Sequence, residues 1–273
     1  MIAPRNARNP EALGELVREP EHGLDILVPH AKENVAPLLR TYDVDLGICS
    51  GLNWKLPPDA LAATRLGILN GHPSLLPRWR GPNPFGWTFR AGDTELGFTF
   101  HLMDAELDTG PILAQASTPL TDDDSMDTLL EKLVPLAAEL LPLALERLEA
   151  GDRGDPQPNE GATWAPRFED EYAEIDWTRS ARDVHNQVRS WFLPTQSGLT
   201  GAYTSLNGQR VRVGRTQLVN GTFPPAEPGT IVAREQGGVL LVQCADGPLR
   251  ILETEVVEIR GEEHETARRT RRA

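Results

Sequence analysis

The chain has 273 residues, 39% of them hydrophobic and 25% charged, with a formal net charge of −13. That length supports one large domain or two with real cores, and the negative balance argues against a general nucleic-acid coat, because phosphate backbones reward Lys and Arg. No apolar run reaches the roughly 18–20 residues of a membrane span, and the start, Met1-Ile2-Ala3-Pro4-Arg5, lacks the apolar stretch of a secretory signal. The expectation is a soluble cytoplasmic protein with neither a membrane nor a DNA partner. The two cysteines, Cys49 and Cys244, lie in separate strand-like contexts without neighbouring His. They predict buried, reduced thiols and no metal site.

Along the first 150 residues, helix and strand signals alternate. Asn9-Pro10-Glu11 is a helix start, with Asn as cap and Pro in the first turn. An apolar run follows from Leu24 to Val28, then a helix-like segment from Glu33 to Thr41 and a strand-like run from Val44 to Cys49. A further strand, Leu66 to Leu69, leads into Asn70. Glu95 to Met103 alternates, with Leu96, Phe98, Phe100 and Leu102 on one face and Thr99 and His101 on the other. Pro111 to Ser117 is its candidate partner. Ser125 to Ala150 carries leucines at helical spacing, and Pro135 and Pro142 predict a kink or two helices. The β/α alternation points to a mostly parallel sheet covered by helices, with ligands at the carboxyl ends of its strands.

Residues 151–163 are rich in Gly, Pro, Asp and Asn and read as a linker between domains 1–150 and 164–273. After an amphipathic helix near Ser180 to Trp191, short strands and turn signals such as Asn207-Gly208 and Asp246-Gly247 predict a small β-barrel-like domain.

Chemistry concentrates between Asn70 and Gly110. Asn70-Gly71-His72-Pro73-Ser74-Leu75-Leu76-Pro77 is followed by Arg78-Trp79-Arg80-Gly81, and then by Leu107-Asp108-Thr109-Gly110. Asn70 and His72, two apart at a strand end, share a face. Asn can donate to a developing oxyanion, His can donate or move protons, and Asp can orient the His or accept a proton through water. No Gly-x-Ser-x-Gly nucleophile motif is present, so the set suggests acyl transfer without a covalent protein intermediate. Plain structural readings stand beside this one. Asn-Gly is a turn signal, a lone His is usually structural, and Leu-Asp-Thr-Gly can be an ordinary turn.

These pieces, in this order and separation, resemble the signature of the 10-formyltetrahydrofolate-dependent formyltransferases. The resemblance covers roughly residues 24 to 257. It implies a Rossmann-like catalytic domain, a catalytic trio at Asn70, His72 and Asp108, and a folate-contacting loop at Ser74, Leu75, Leu76 and Pro77. The folate is implied as a co-substrate, and no metal is implied. An amine would attack the formyl carbon on N10, Asn70 and His72 would stabilise the oxyanion, and Asp108 would raise the basicity of His72 or relay the amine's proton.

The second domain resembles the carboxyl-terminal domain of the methionyl-tRNA formyltransferases, notably at Ala173-Glu174-Ile175-Asp176-Trp177 and Val184-His185-Asn186-Gln187-Val188-Arg189. That implies methionyl-initiator tRNA as partner, and a monomer. The candidate substrate contacts are Arg78, Arg80, Arg210, Arg212 and Arg215. The last three, read as alternating along one strand, would line one face able to grip phosphate, or equally a solvated face. Two alternatives remain: a small amine acceptor such as a nucleotide-linked amino sugar or siderophore precursor, and an inactive folate-binding remnant. The resemblance also fails in two places. The family's opening strand, helix and second strand, with a Gly-Thr-Pro turn, are not found, and a misassigned start is the reading this favours. The loop that would touch the tRNA acceptor stem falls near Met1 to Arg8, with Arg5 and Arg8 as its remnants. A chain starting at Met1 would expose a sheet edge. Arg80-Gly81-Pro82-Asn83-Pro84 departs from the small residues usual in the tRNA enzymes, which bears on the acceptor rather than the chemistry.

Overall fold

The computed structural model describes residues 29–52 and 55–257. The helix start at Asn9, the apolar run from Leu24 to Val28, Arg5 and Arg8 lie outside the described residues. Within them the chain forms two compact units. One is drawn from the described residues up to Gly81, with Gly97–Ser117 and Leu133–Trp164; the other from Pro82–Leu96, Thr118–Lys132 and the described residues from Ala165 on.

The first unit holds a four-stranded sheet in the order β1 (Gly47–Ser50), β2 (Ile68–His72), β3 (Glu95–Leu102) and β4 (Ile112–Pro119). Helix α1 (Val35–Thr41) and the short α2 (Pro58–Leu61) bury Val35, Ala36, Leu39 and Ala60 in one cluster with Ile68. β1 runs parallel to β2, but β3 runs antiparallel to it, so the sheet is mixed rather than mostly parallel. The physical reason is the route of the chain, which leaves β2 and re-enters the sheet from the end at which it left. Among the described residues β1 is an edge, and its side chains alternate between half-buried and exposed, with Ile48 57% exposed. β2 is buried at all five positions, as a strand covered on both faces must be.

Register then sorts β2 by chemistry. Asn70 lies opposite His101 and His72 opposite Thr99, and opposed residues share a face. Four polar side chains therefore line one side of two buried strands. Gly71 points the other way, where a Cβ would meet the rings of Phe98 and Phe100. The Asn-Gly pair is thus strand rather than turn, and its glycine makes room for aromatic packing.

Helix α4 (Met126–Glu149) is a single helix of 24 residues, not two. Leu129, Leu133, Leu140, Ala144 and Leu148 form its buried face. Pro135 and Pro142 lie on exposed positions, and the carbonyls they free belong to Glu131 and Ala138, which are also exposed and can bond water.

In the second unit, helix α3 (Pro84–Ala91) precedes α5 (Ala181–Arg189), whose first turn is capped by Ser180 Oγ accepting from the Asp183 N–H at 3.0 Å. The strands β5 (Ala202–Leu206), β6 (Gln209–Leu218), β7 (Ile231–Arg234), β8 (Leu240–Gln243) and β9 (Pro248–Val256) form an antiparallel sheet in the order β5-β6-β9-β8-β7. The sheet is open, with β5 and β7 at its edges, where a barrel was expected. The outer side of β5 is already used, since the Ile175 N–H donates to the Tyr203 carbonyl at 2.8 Å, and this contact covers the edge that closure would need. Val184, Val188, Val211, Val213, Val242 and Ile251 lie in its core. The β5–β6 turn has φ of 50° at Asn207 and 77° at Gly208, the two positive values that an Asn-Gly hairpin supplies.

On α5, the buried His185 bridges two elements of this unit. Its Nε2–H donates to the Asp122 carbonyl at 2.9 Å, and its Nδ1 lies 2.8 Å from Thr216 Oγ1. Burial, then the nearby Arg189 guanidinium, lowers its pKa below the ordinary 6.5. The unfolded chain therefore binds more protons than the fold, and stability is lost as pH falls from 6.5 toward the lowered folded value. One such group changes the unfolding free energy by at most about 1.4 kcal/mol per pH unit. The melting temperature should fall between about pH 7 and pH 5, and fall less in His185→Gln; an equal fall in both proteins would show that His185 is not responsible.

Candidate active site

Asn70, His72, His101 and Asp108 converge at the carboxyl end of β2. Asn70, His72 and His101 are all buried, and the Asp108 side chain is 14% exposed. His72 Nε2 lies 2.8 Å from the Trp79 carbonyl oxygen. A carbonyl only accepts, so the His72 proton sits on Nε2 and its Nδ1 carries the lone pair. That Nδ1 faces Asp108 Oδ2 at 3.7 Å. Trp79 has a φ of 60°, and this left-handed conformation aims its carbonyl at the imidazole.

His101 is fixed by the same logic. Its Nδ1 lies 3.0 Å from the Leu102 carbonyl, so Nδ1 is protonated and Nε2 accepts from Asn70 Nδ2 at 3.0 Å. The second Asn70 hydrogen is aimed at Asp108 Oδ1 across a longer 3.4 Å. Turning the carboxamide over would set its oxygen against a carboxylate, so the orientation is determined.

Asp108 itself has φ 57°, and its Oδ2 accepts from the Gly81 N–H at 2.8 Å. Gly110 follows where a side chain is impossible, because a Cβ would overlap the Leu102 carbonyl oxygen. Burial pushes the Asp108 carboxyl upward, but His101, His72 and the Gly81 N–H outweigh it and hold the pKa below 3.8. Burial lowers the His72 pKa below 6.5, only partly offset by the carboxylate of Asp108 and the Trp79 carbonyl. At neutral pH the pair is therefore a carboxylate beside a neutral imidazole whose free nitrogen accepts protons.

The loop Ser74–Pro77 runs beside this centre. Ser74 and Leu76 are buried, with Ser74 Oγ donating to the Arg78 carbonyl at 2.7 Å. Thr99 Oγ1 donates to the Ser74 carbonyl at 2.6 Å, and Gln115 Nε2 to the Leu76 carbonyl at 2.9 Å. Leu75 and Pro77 are half-buried and offer apolar surface. Cys244 is buried, but Cys49 is only half-buried, because it sits on edge strand β1 opposite Asn70. Burial raises the two thiols to about 11 (Cys49) and about 12 (Cys244), so both stay protonated. Among the described residues no group of three or more His, Cys, Asp or Glu is placed to hold a metal ion, and no helix is long and apolar enough to cross a membrane.

The five candidate arginines divide. The Arg78 guanidinium lies 4.1 Å over the Trp79 ring, and Arg80 is bonded to Gln157. Arg210, Arg212 and Arg215 lie on β6 in the other unit, away from strict alternation. Irregular pairing at Gly214 brings Arg215 back to the exposed side. Each of these three faces a carboxylate: Arg210 pairs with Glu174, Arg212 with Glu255 at 2.6 Å, and Arg215 with Glu253 at 3.8 Å. The sequence motifs passed over His101, the Trp79 carbonyl, the Gly81 N–H and Gln157. The signal for His101 was present, since polar Thr99 and His101 on an otherwise apolar buried strand require partners.

By NMR, the His72 ring should titrate below pH 6.5, and lower still in Asp108→Asn, which removes the charge that favours the imidazolium. An unchanged or raised midpoint in the variant contradicts the geometry above.

The family described as formyl transferase matches residues 27–145, and the one described as formyl transferase, C-terminal domain, matches residues 167–263. The chain is 37% identical over 239 residues to the methionyl-tRNA formyltransferase of Pelobacter propionicus, covering 86% of this chain and 72% of that one. Among solved structures, it resembles HypX from Aquifex aeolicus in complex with tetrahydrofolic acid, with TM-score 0.67 and 22% identity over 94% of this chain and 44% of that one. It also resembles the methionyl-tRNA formyltransferase from Clostridium thermocellum, with TM-score 0.61 and 16% identity over 94% and 97%. At those identities the two structures speak for the fold alone. Matched along both family regions and by relatives over most of its length, the chain belongs to the formyltransferase family.

Proposed function

We propose that this protein transfers a formyl group from 10-formyltetrahydrofolate to the amino group of methionyl-initiator tRNA. The observation that carries the reading is the convergence of Asn70, at 3.4 Å, and a neutral His72, at 3.7 Å, on an ionised Asp108. Its acceptor is supported by relatives named methionyl-tRNA formyltransferase at 34–37% identity.

The folate supplies an activated formyl carbon on N10. Asn70 Nδ2 offers its loosely held hydrogen, the one 3.4 Å from Asp108, to the oxyanion that forms when the amine attacks. The new carbon–nitrogen bond leaves the amine cationic. His72 Nδ1 removes that proton, and the carboxylate of Asp108 stabilises the imidazolium so formed. The same proton then passes to N10 as the carbon–N10 bond breaks, and His72 returns to its resting state. Ser74, Leu75, Leu76 and Pro77 would border the folate, with Leu75 and Pro77 presenting the accessible apolar surface. Arg210, Arg212 and Arg215 could meet tRNA phosphate by exchanging their carboxylate partners, an exchange that exposed ion pairs allow at small cost.

Incubation with 10-formyltetrahydrofolate and methionyl-initiator tRNA should add the mass of one formyl group to the aminoacyl end. Asp108→Ala should lower kcat by about 10²–10⁴-fold while folate binding is retained. Formylation of an amino-sugar nucleotide, with none of the tRNA, would overturn the acceptor and keep the chemistry.

A further inference from the structure

A φ of 57° at Asp108 lies in the left-handed region, uncommon for a residue with a side chain though more accessible to Asp than to most, and here the turn is held by two restraints. One restraint is the Gly81 N–H on the carboxylate. The other comes from Gln157, in the segment that composition marks as a linker. Gln157 Nε2 donates to the carbonyls of Asp108 at 2.9 Å and Gly110 at 2.8 Å. Its Oε1 accepts from Arg80 Nε at 3.0 Å and Nη2 at 2.7 Å. Both hydrogens and both acceptor sites of the carboxamide are used. Turned over, the group would face two carbonyls with an oxygen and a guanidinium with an NH2, so one orientation survives.

The segment around Gln157 is itself anchored. Asp155 and Ile112 exchange backbone hydrogen bonds, each of 2.8 Å. Thr163 donates its N–H to the Pro77 carbonyl at 3.2 Å and accepts the Arg80 N–H at 3.0 Å, while its Oγ1 accepts the Trp79 N–H at 2.9 Å. Residues 155–163 thus tie the Asp108 turn to the loop that holds His72.

We propose that Gln157 is the positioning residue for Asp108, with Arg80 as its anchor, so that this segment is part of the active centre. The proposal rests on the catalytic reading of Asp108 given above. It assigns Arg80 to holding Gln157 instead of contacting substrate. A spacer would tolerate any polar residue at position 157; a four-bond node does not.

The test compares Gln157→Leu, Gln157→Glu, Asp108→Asn and the Gln157→Leu/Asp108→Asn double variant in the full chain. Gln157→Glu keeps the pairing with Arg80 but loses both donors, and it serves if the leucine variant does not fold. Turnover is measured with methionyl-initiator tRNA, and His72 is titrated by NMR, which needs no acceptor. Each Gln157 variant should lower kcat by about 10²-fold, the scale on which a small misplacement of a catalytic group acts, with the KM for 10-formyltetrahydrofolate unchanged. In Gln157→Leu the His72 midpoint should move down, as expected for Asp108→Asn. The double variant should be no slower than Asp108→Asn alone, because both changes act through one group. Losses that multiply in the double variant, a raised KM with kcat intact, or an unmoved His72 midpoint would each overturn the proposal. Full turnover by Asp108→Asn would instead overturn the catalytic reading of Asp108, and the His72 shift in the Gln157 variants would still report on positioning.

Discussion

A buried carboxylate must be compensated, and the centre of this protein is arranged around meeting that demand for Asp108. Its oxygens accept from the Gly81 N–H and face the Asn70 amide, with the imidazoles of His72 and His101 3.7 and 3.6 Å away. Leaving such a charge without donors would cost several kcal/mol, so each neighbour is constrained in turn. The Gly81 N–H must point inward, Asn70 must present its NH2, and the turn must accept a positive φ. These requirements together set the positions of the loop after β2 and of the Leu107–Gly110 turn.

The same carboxylate sets the electrostatics of its neighbours. It remains ionised well below neutral pH, while burial keeps His72 neutral. Two titratable groups are pushed apart in this way, one held as a fixed charge and the other as a neutral imidazole. The carbonyls of Trp79 and Leu102 complete the arrangement by choosing opposite nitrogens of His72 and His101 as proton carriers. Two histidines of opposite tautomer thus stand beside Asn70 on one strand pair.

The second unit shows how local irregularity decides what a charge pattern means. Arg210 and Arg212 alternate, but Arg215 would fall on the opposite face of a regular strand. Irregular pairing at Gly214 restores it to the exposed side, and Glu253 and Glu255 on β9 meet the arginines across the ladder. What reads in isolation as a basic stripe is, at Arg212 and Arg215, two exposed cross-strand ion pairs, each worth little by itself, while Arg210 meets Glu174 outside the strand pair. Its near-neutrality follows from the register of two strands far apart in sequence.

The residues alone determined the family and much of the order of the elements, and they marked Asn70, His72 and Asp108 as the candidate trio. Asn70, His72 and Asp108 carry their chemistry in their identity and spacing, and strand and helix periods are local properties. Tertiary structure decided everything that depends on pairing. The antiparallel course of β3 is invisible to alternation, which is the same in either direction. His101 acquires a role only because register sets it opposite Asn70, and Gln157 only because the chain folds back across the Asp108 turn. Hydrogen bonds from backbone groups, at Trp79, Gly81 and Leu102, leave no trace in residue type, since every non-proline residue carries the same donor and acceptor. The edge position of β1 among the described residues, the continuity of α4 through two prolines and the half-burial of Cys49 likewise follow from what lies beside each element, and a one-dimensional pattern does not encode its neighbours.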